Sequence, residues 1–353
     1  MSPAAVIGSI RARSPQALRT ATGIGVAALV GAVGFAAFVL LVGNNPFDAF
    51  SAMWQSTIMD SVGPGEVLIA ATPIVLCALA VAVPARAGLW NLGGQGQVVC
   101  GVLGAAGVSL AMPDGLAAPL AIPLLSLGGA LAGAAWSAIS ALLRVTFNLN
   151  EAISSLLLSY VAVRILDYAV HGPWKDPASL GFPQARPLPE SHRLPLFGSG
   201  RIHAGILIAL VMVVVIAYVL RRTRWGFQLR VAGGNAEAAR RAGLPVKRVI
   251  VTSMVVGGAL SGLAGAIQLA GVEINARPDI AAMYGFLGFL VSWLAGHRPW
   301  FILMAGIVIG AITVGGDSLQ ISADLPAASV NILMALVLLA VLGRSARVRG
   351  AEG

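Results

Sequence analysis

The side chains in this sequence that could handle a solute are few and fall in two short stretches. Residues 88–97 read GLWNLGGQGQ, in which Asn91, Gln95 and Gln97 offer amide donors and acceptors without charge. The four glycines 88, 93, 94 and 96 cannot support a good continuous helix, and broken backbone at membrane depth persists only where protein buries it or a watery cavity adjoins it. In the second stretch Glu151, Ser155 and Ser159 recur every four residues on one helical face, with Ser154 beside them and Asn148 and Asn150 just before. Two readings stay open: a polar stripe along a substrate path, or a helix start whose acid caps and whose hydroxyls bond back to their own helix. Amides and hydroxyls suit a neutral polyol or base, which needs hydrogen-bond partners but no counter-ion. Arg164 and Asp167, three apart, read as a structural charge pair.

No set of residues for catalysis accompanies them. His171, His192, His203 and His297 are scattered over loops and ends, with no metal-spaced cluster and no nucleophile elbow. The Gly-rich stretch lacks the Lys and Ser/Thr of a phosphate loop and follows no predicted strand, and no Walker sequence occurs. The chain is therefore expected to be no enzyme and to hold neither metal nor cofactor. Energy for active movement of a solute would have to come from another chain. Cys77 and Cys100 lie in apolar runs and read as small buried hydrophobes.

What must position these groups follows from composition. Of 353 residues 58% are hydrophobic and 10% charged, with a mean hydropathy of +0.87, whereas a soluble domain carries roughly 25% charged residues. That deficit excludes an ordinary soluble fold, and the apolar excess must face lipid. Runs long enough to cross about 30 Å of hydrocarbon fall at 21–42, 67–83, 89–112, 116–143, 152–170, 202–220, 249–272, 280–295, 300–316 and 326–342. The expected fold is an all-α integral membrane protein of about ten spans in one domain, 1–353, with 1–20 as an inner N-terminal segment. The first run is longer than a signal-peptide core and reads as an uncleaved first helix.

Charge orients the spans. With the N-terminus inside, seventeen Lys and Arg collect at inner ends, among them Arg11, Arg86, Arg144, Arg221, Arg230, Lys247, Arg298 and Arg344. Only Lys175, Arg186, Arg193, Arg201 and Arg277 lie outside, where Asp48, Asp60, Asp176, Asp279, Asp317 and Asp324 also fall. This positive-inside split puts both termini in the cytoplasm and accounts for the net charge of +9 without nucleic acid.

Two loops stand out. The outer one, 171–201, carries six prolines and should run without regular helix over the outer mouth. The inner one, 221–248, contains a two-turn helix spelled out by its ends. Asn235 caps, Ala236, Glu237, Ala238, Ala239, Arg240, Arg241 and Ala242 propagate with the acid first and the bases last, and Gly243 and Pro245 end it. Its small side chains leave a surface that another protein can approach, the other reading being a helix lying at lipid headgroups. Farther on, Gly258 and Gly262, and Ser261 and Gly265, repeat at four-residue spacing, which lets helix backbones pack closely in lipid.

Four segments carry a resemblance: GLWNLGGQGQ at 88–97, LNEAISSLLLSY at 149–160, HGPWKDP at 171–177 and GFQLRVAGGNAEAARRAGLPVKRV at 226–249. In this order and over most of the chain they resemble bacterial ABC-importer permeases of the nucleoside and simple-sugar group, within the branched-chain amino acid and ribose-type superfamily. The commoner family form of the first reads like NIGAEGQ, so Gln95 puts an amide where that form has an acid. The second and third segments look closest to the nucleoside branch, with simple sugars as the alternative. The resemblance implies a bacterial cytoplasmic membrane location, a second permease subunit, two cytoplasmic ATPase subunits that use ATP, and an extracytoplasmic substrate-binding lipoprotein. Residues 235–243 would then couple to the ATPases, and Asn91, Gln95, Gln97, Glu151, Ser154 and Ser155 would line or support the substrate path. A stand-alone secondary transporter or channel would instead favour paired carboxylates in mid-span or an inverted repeat, and neither is found.

The charge split makes a direct prediction of sidedness. Cysteine placed at Ser191 should label with an impermeant maleimide in intact cells, and cysteine at Ser345 only after permeabilisation; the reverse pattern would sink the ten-span topology.

Overall fold

The computed structural model of the chain describes residues 29, 32–197, 201–280, 283–322, 332, 335 and 336. Regular structure in them is helical: α1 (Ala32–Leu41), α2 (Pro46–Trp54), α3 (Gly63–Ala85), α4 (Gly94–Ala111), α5 (Ala118–Phe147), α6 (Glu151–His171), α7 (Gly205–Arg222), α8 (Arg224–Gly234), α9 (Ala236–Arg241), α10 (Val246–Gln268), α11 (Tyr284–Leu294) and α12 (Pro299–Ser322). Two isolated bridges, Lys175 to Ala185 and Leu196 to His203, are the extended pairings among the described residues.

Among the described residues, seven helices are long and apolar enough to cross a membrane, namely α3 to α7, α10 with its π-helical continuation to Glu273, and α12 as far as Gln320. Of the three other expected spans, 21–42 is described at 29 and from 32 onward, where it forms α1, and 326–342 lies outside the described residues except at three positions. The span expected at 280–295 forms α11, whose 11 residues cover roughly 16 Å at the helical rise, about half the hydrocarbon thickness. Local backbone explains the shortening. Ile274, Asp279 and Met283 all have left-handed φ, at 64°, 63° and 69°. The carbonyls of Ala270, Ile274 and Ala276 accept from the N–H groups of Leu194, Leu188 and Ala185, at 2.9, 3.0 and 2.8 Å. The segment before α11 is thus committed to holding the outer loop.

Chain contacts divide the described residues into two compact units, one from residues up to 63 together with those from 312 onward, the other from 64–311. In the first, Phe35 and Val39 of α1, Ala49 of α2 and Leu319 of α12 make a small apolar core. The Phe35 ring meets Phe50 edge-on at 5.9 Å, and the Ser56 hydroxyl donates to Ser318 Oγ at 2.9 Å.

The second unit is organised by helices in backbone contact. A methyl group on Gly262 would collide with the carbonyl oxygen of Gly129, one on Gly101 with that of Gly262, and one on Gly265 with that of Val98. Gly258 stands equally close to the Gly133 carbonyl and to Ser137, whose hydroxyl donates to Met254 O at 2.7 Å. Gly258, Gly262 and Gly265 therefore form one seam along α10 that receives both α4 and α5, and Ser261 beside them is fully buried. Lipid offers helices no hydrophobic drive to associate, so close van der Waals contact between small residues must hold them. The outward faces are apolar instead: Leu120, Leu124, Leu127 and Leu131 are exposed along one stripe of α5, and Leu207, Leu210, Val211 and Val214 along α7.

Gly262→Ala should lower the thermal unfolding temperature of the purified chain, by overpacking that costs about 1–3 kcal/mol. Gly115→Ala, where an added methyl meets nothing within 4 Å, serves as the control. Equal unfolding temperatures for the two variants would remove the seam from the account of stability.

Candidate functional site

At the end of α3 the chain leaves helical geometry. Gly88 turns it with φ +74°, residues 89–92 run irregularly, and α4 begins at Gly94. Interrupted backbone here needs partners, and side chains supply them. The Trp90 N–H donates to Glu151 Oε1 at 3.2 Å, and the Gly93 N–H donates to Asn91 Oδ1 at 3.2 Å. Asn91 and Gln97 face each other as a reciprocal amide pair, Nδ2 donating to Oε1 at 3.0 Å and Nε2 donating to Oδ1 at 2.8 Å. Asn91 Nδ2 also reaches Ala80 O in α3 at 3.4 Å. Both amides are wholly buried, so this clasp ties the end of α3 to the start of α4.

Helix α6 abuts the same place. Asn150 caps it, its Oδ1 accepting from Ala152 N at 2.9 Å, and Glu151 at its first position also pairs with Arg144 at 3.3 Å. Gly93 and Gly96 come close enough to Ser155 and Ser159 that any side chain on them would clash. The Gly96 N–H donates to Ser159 Oγ at 3.1 Å. Ser154 and Ser155 bond back to the carbonyls of Glu151 and Ala152, at 3.3 and 3.2 Å. Gln95 points the other way, where its Oε1 accepts from the Gly285 N–H of α11 at 3.1 Å. The structure thus gathers Asn91, Gln95, Gln97, Glu151 and Ser155 at one junction of α3, α4, α6 and α11, with Ser154 at its edge.

The sequence reading missed the aromatic side of this junction. Trp90 packs on Trp293 edge-on at 5.1 Å and on Phe289 at 6.4 Å, and Trp293 meets the His297 ring at 5.2 Å. The spacing of Phe289, Trp293 and His297, four apart each time, was the available signal. His297 Nδ1 lies 2.9 Å from Ser292 Oγ, and its carbonyl accepts from Arg86 Nη2 at 2.9 Å. Burial, reinforced by the Arg86 charge, pushes the His297 imidazole down to about 4, so it is neutral at physiological pH.

The described residues of the outer loop after α6 form no α-helix and one 3-10 turn, at Glu190–His192. Buried His192 closes on α4 through Nδ1, 2.7 Å from Ser109 Oγ. A cavity lined by Ser109, Asp114, Arg186, Leu188 and Ala276 adjoins this contact and has room for a few waters.

On the opposite loop, α9 forms where its end signals place it. Asn235 Oδ1 accepts from Ala238 N at 2.9 Å, and Glu237 pairs with both Arg240 and Arg241. Gly243 has φ +79°; its N–H reaches Arg240 O at 2.9 Å and the Leu244 N–H reaches Ala239 O at 3.0 Å, the double closure of a Schellman motif. Ala236, Glu237, Ala238, Arg240, Arg241, Ala242 and Gly243 are exposed, while Ala239 is fully buried, so it anchors α9 and does not belong to its free face. Ahead of α9 stands α8, which the sequence reading did not separate. Thr223 caps it by accepting from Gly226 N at 3.1 Å, Trp225 Nε1 donates to Thr252 Oγ1 at 3.0 Å, and Gly233 presses on the backbone of Arg86 and Ala87.

Residues 63–342 match the family described as branched-chain amino acid transport system, permease component. The chain belongs to that family. Its relatives include the glucose ABC transporter permease protein TsgB13 of Haloferax volcanii, 37% identical over 87% of this chain and 83% of that one. They also include the guanosine ABC transporter permease protein NupP of Bacillus subtilis, 30% identical over 90% and 91%, and the nucleoside ABC transporter permease protein NupB of Lactococcus lactis, 28% identical over 88% and 86%. No solved structure matches the chain. In family terms the protein is an ABC-importer permease, and the junction and α9 are features of its permease fold.

The clasp can be tested as a unit. Gln97→Leu should destabilise the permease by about 1–3 kcal/mol, the cost of leaving the Asn91 amide buried without its partner. Asn91→Leu with Gln97→Leu should cost less than the two single changes added together, because both polar groups are then gone. Strict additivity in thermal unfolding would mean that the two amides do not support each other.

Proposed function

We propose that this permease carries nucleosides inward as one subunit of an importer, paired with a second, homologous permease, driven by two cytoplasmic ATPases and fed by an extracytoplasmic binding lipoprotein. The site is the bacterial cytoplasmic membrane, with both termini inside. The observation that carries the proposal is α9, a short exposed helix whose cap, internal ion pairs and Schellman closure fix its shape. Such a helix suits a groove on an ATPase, with Asn235 to Gly243 as the coupling element and Ala236, Glu237, Ala238, Arg240, Arg241 and Ala242 at the surface. ATP is bound and hydrolysed by the partner chains.

A route for the stroke can be traced through contacts. Movement of α9 passes through Asn235 into α8, and from Gly233 to the backbone of Arg86 and Ala87. From there it reaches the Asn91 to Gln97 clasp and the starts of α4 and α6. Rigid-body tilting of these elements would alternate access to a path that Asn91, Gln95, Gln97, Glu151, Ser154 and Ser155 support. Uncharged amides and hydroxyls favour a neutral solute. Two relatives are named for guanosine or nucleosides; TsgB13, named for glucose, favours the second reading, a simple sugar. Family membership weighs against the stand-alone transporter or channel.

Two measurements separate the parts of this proposal. Ala238→Trp, on the free face of α9, should cut co-purification of the ATPase roughly tenfold or more, because a bulky ring is overpacked against a docked surface, and uptake should fall with it. Full ATPase recovery would move the coupling role to another inner loop, the stretch from Arg144 to Asn150 first. Uptake of radiolabelled guanosine competed by unlabelled nucleosides and untouched by glucose supports the nucleoside reading; the opposite competition establishes the sugar reading.

A further inference from the structure

Four arginines from separate elements converge on the side of the 64–311 unit that carries α8 and α9. Arg86 follows α3 and donates to the carbonyl of His297, which places it beside Arg298 at the start of α12. Arg230 of α8 donates to the Leu220 carbonyl, beside Arg221 at the end of α7. The contact of Gly233 with the Arg86 backbone joins the two halves. No carboxylate answers this charge among the described residues. Glu151 is taken by Arg144, Glu237 by Arg240 and Arg241, and the remaining ion pairs involve Arg164, Arg201 and Arg277. Arg221, Arg230 and Arg298 are exposed, whereas Arg86 is half-buried among them and its Nε is buried without a partner.

Exposed aromatic rings lie within four residues of three of these arginines, Arg86, Arg230 and Arg298. Trp90, Phe227, Trp300 and Phe301 are each about half exposed, and the Arg298 guanidinium stacks on Phe301 at 5.8 Å. Rings of this kind collect where hydrocarbon gives way to headgroups, so the arginines stand at headgroup depth. A guanidinium fork matches phosphate oxygens two at a time. We infer that Arg86, Arg221, Arg230 and Arg298 form a binding site for the phosphate of an anionic phospholipid, in the leaflet on the side of α8 and α9. Burial and the charges of Arg298, Arg230 and Arg221 all lower the Arg86 pKa, and a bound phosphate would relieve that repulsion. An acidic protein surface fits less well, because Arg86 is recessed under α8 and a headgroup oxygen reaches where a folded surface does not. The site is independent of the solute carried. Because Arg86 and Gly233 also lie on the route from α9 to the clasp, an occupying lipid would brace that route.

The test uses the full chain in phosphatidylcholine nanodiscs doped with brominated phosphatidylglycerol or, in parallel, brominated phosphatidylcholine. Native tryptophan fluorescence should be quenched more by the anionic lipid. Arg86→Gln with Arg230→Gln should reduce that preference by roughly fivefold for each charge removed. Arg221→Gln with Arg298→Gln, both at exposed positions, should do the same with the fold undisturbed, and thermal unfolding in phosphatidylcholine alone checks both variants. Arg240→Gln with Arg241→Gln, on α9, should leave the preference intact. Equal quenching by the two brominated lipids, or a preference that survives both cluster variants, would overturn the inference. So would displacement of the lipid by millimolar inorganic phosphate or by the docked ATPase, which would assign the arginines to a free anion or to a protein surface.

Discussion

A peptide group buried in protein has no water to bond, so an interruption of helix there must bring its own partners. Between α3 and α4 the chain gives up helical geometry over the irregular run that begins at Arg86, and the arrangement around that run follows from the need to satisfy it. Asn91 and Gln97 answer each other and the neighbouring backbone, and Glu151 receives the Trp90 amide. Each such group left bare would cost about 1–3 kcal/mol, so the position of α6 is set by this junction as much as by apolar packing. Glu151, buried at the start of α6, has the Arg144 guanidinium 3.3 Å away as its ionic partner.

Glycine serves two opposite purposes in this chain. At 93, 94 and 96 it removes side chains so that the cap and first turn of α4 can lie against α6 and α11. At 101, 129, 133, 258, 262 and 265 it removes them so that intact helices can touch along their backbones. The first use makes a joint and the second makes a rigid block of α4, α5 and α10. Since α4 belongs to both, displacement at the joint is transmitted to the block rather than absorbed within it.

How far the sequence discloses this depends on whether the signal is local. The caps of α9, Asn235 and Gly243, are local, and the helix lies between them. The seven long helices declare themselves by length and apolarity, and the unsuitability of 88–97 for a continuous helix is written in its glycines. What was not legible is tertiary. Nothing in the spacing of Asn91 and Gln97 says that they face each other across a helix start, or that Ala239 is the buried member of an otherwise exposed alanine set. The shortness of α11 depends on which carbonyls the outer loop claims, and apolar composition at 280–295 is blind to that. The aromatic partners of Trp90 lie some 200 residues away in α11. The four-residue spacing of Phe289, Trp293 and His297 reads as one helical face, whereas α11 ends at Leu294 and His297 sits in the turn beyond it.

The burial of Ala239 bears on how a six-residue helix could transmit force. Isolated helices of that length are not stable in water, so α9 keeps its form because both ends are closed by hydrogen bonds and its middle is seated through buried Ala239. A larger residue at 239 would lift the helix from its seat; a polar one would strand a buried group. Rigidity therefore comes from the inner face, which leaves the outer face free to consist of small and charged residues. Stiffness within α9 and close backbone contact from α8 to Arg86 are together what a coupling element needs. A helix held only by its own propensity would fray under load, and a looser contact at Gly233 would let α8 slide without moving the joint.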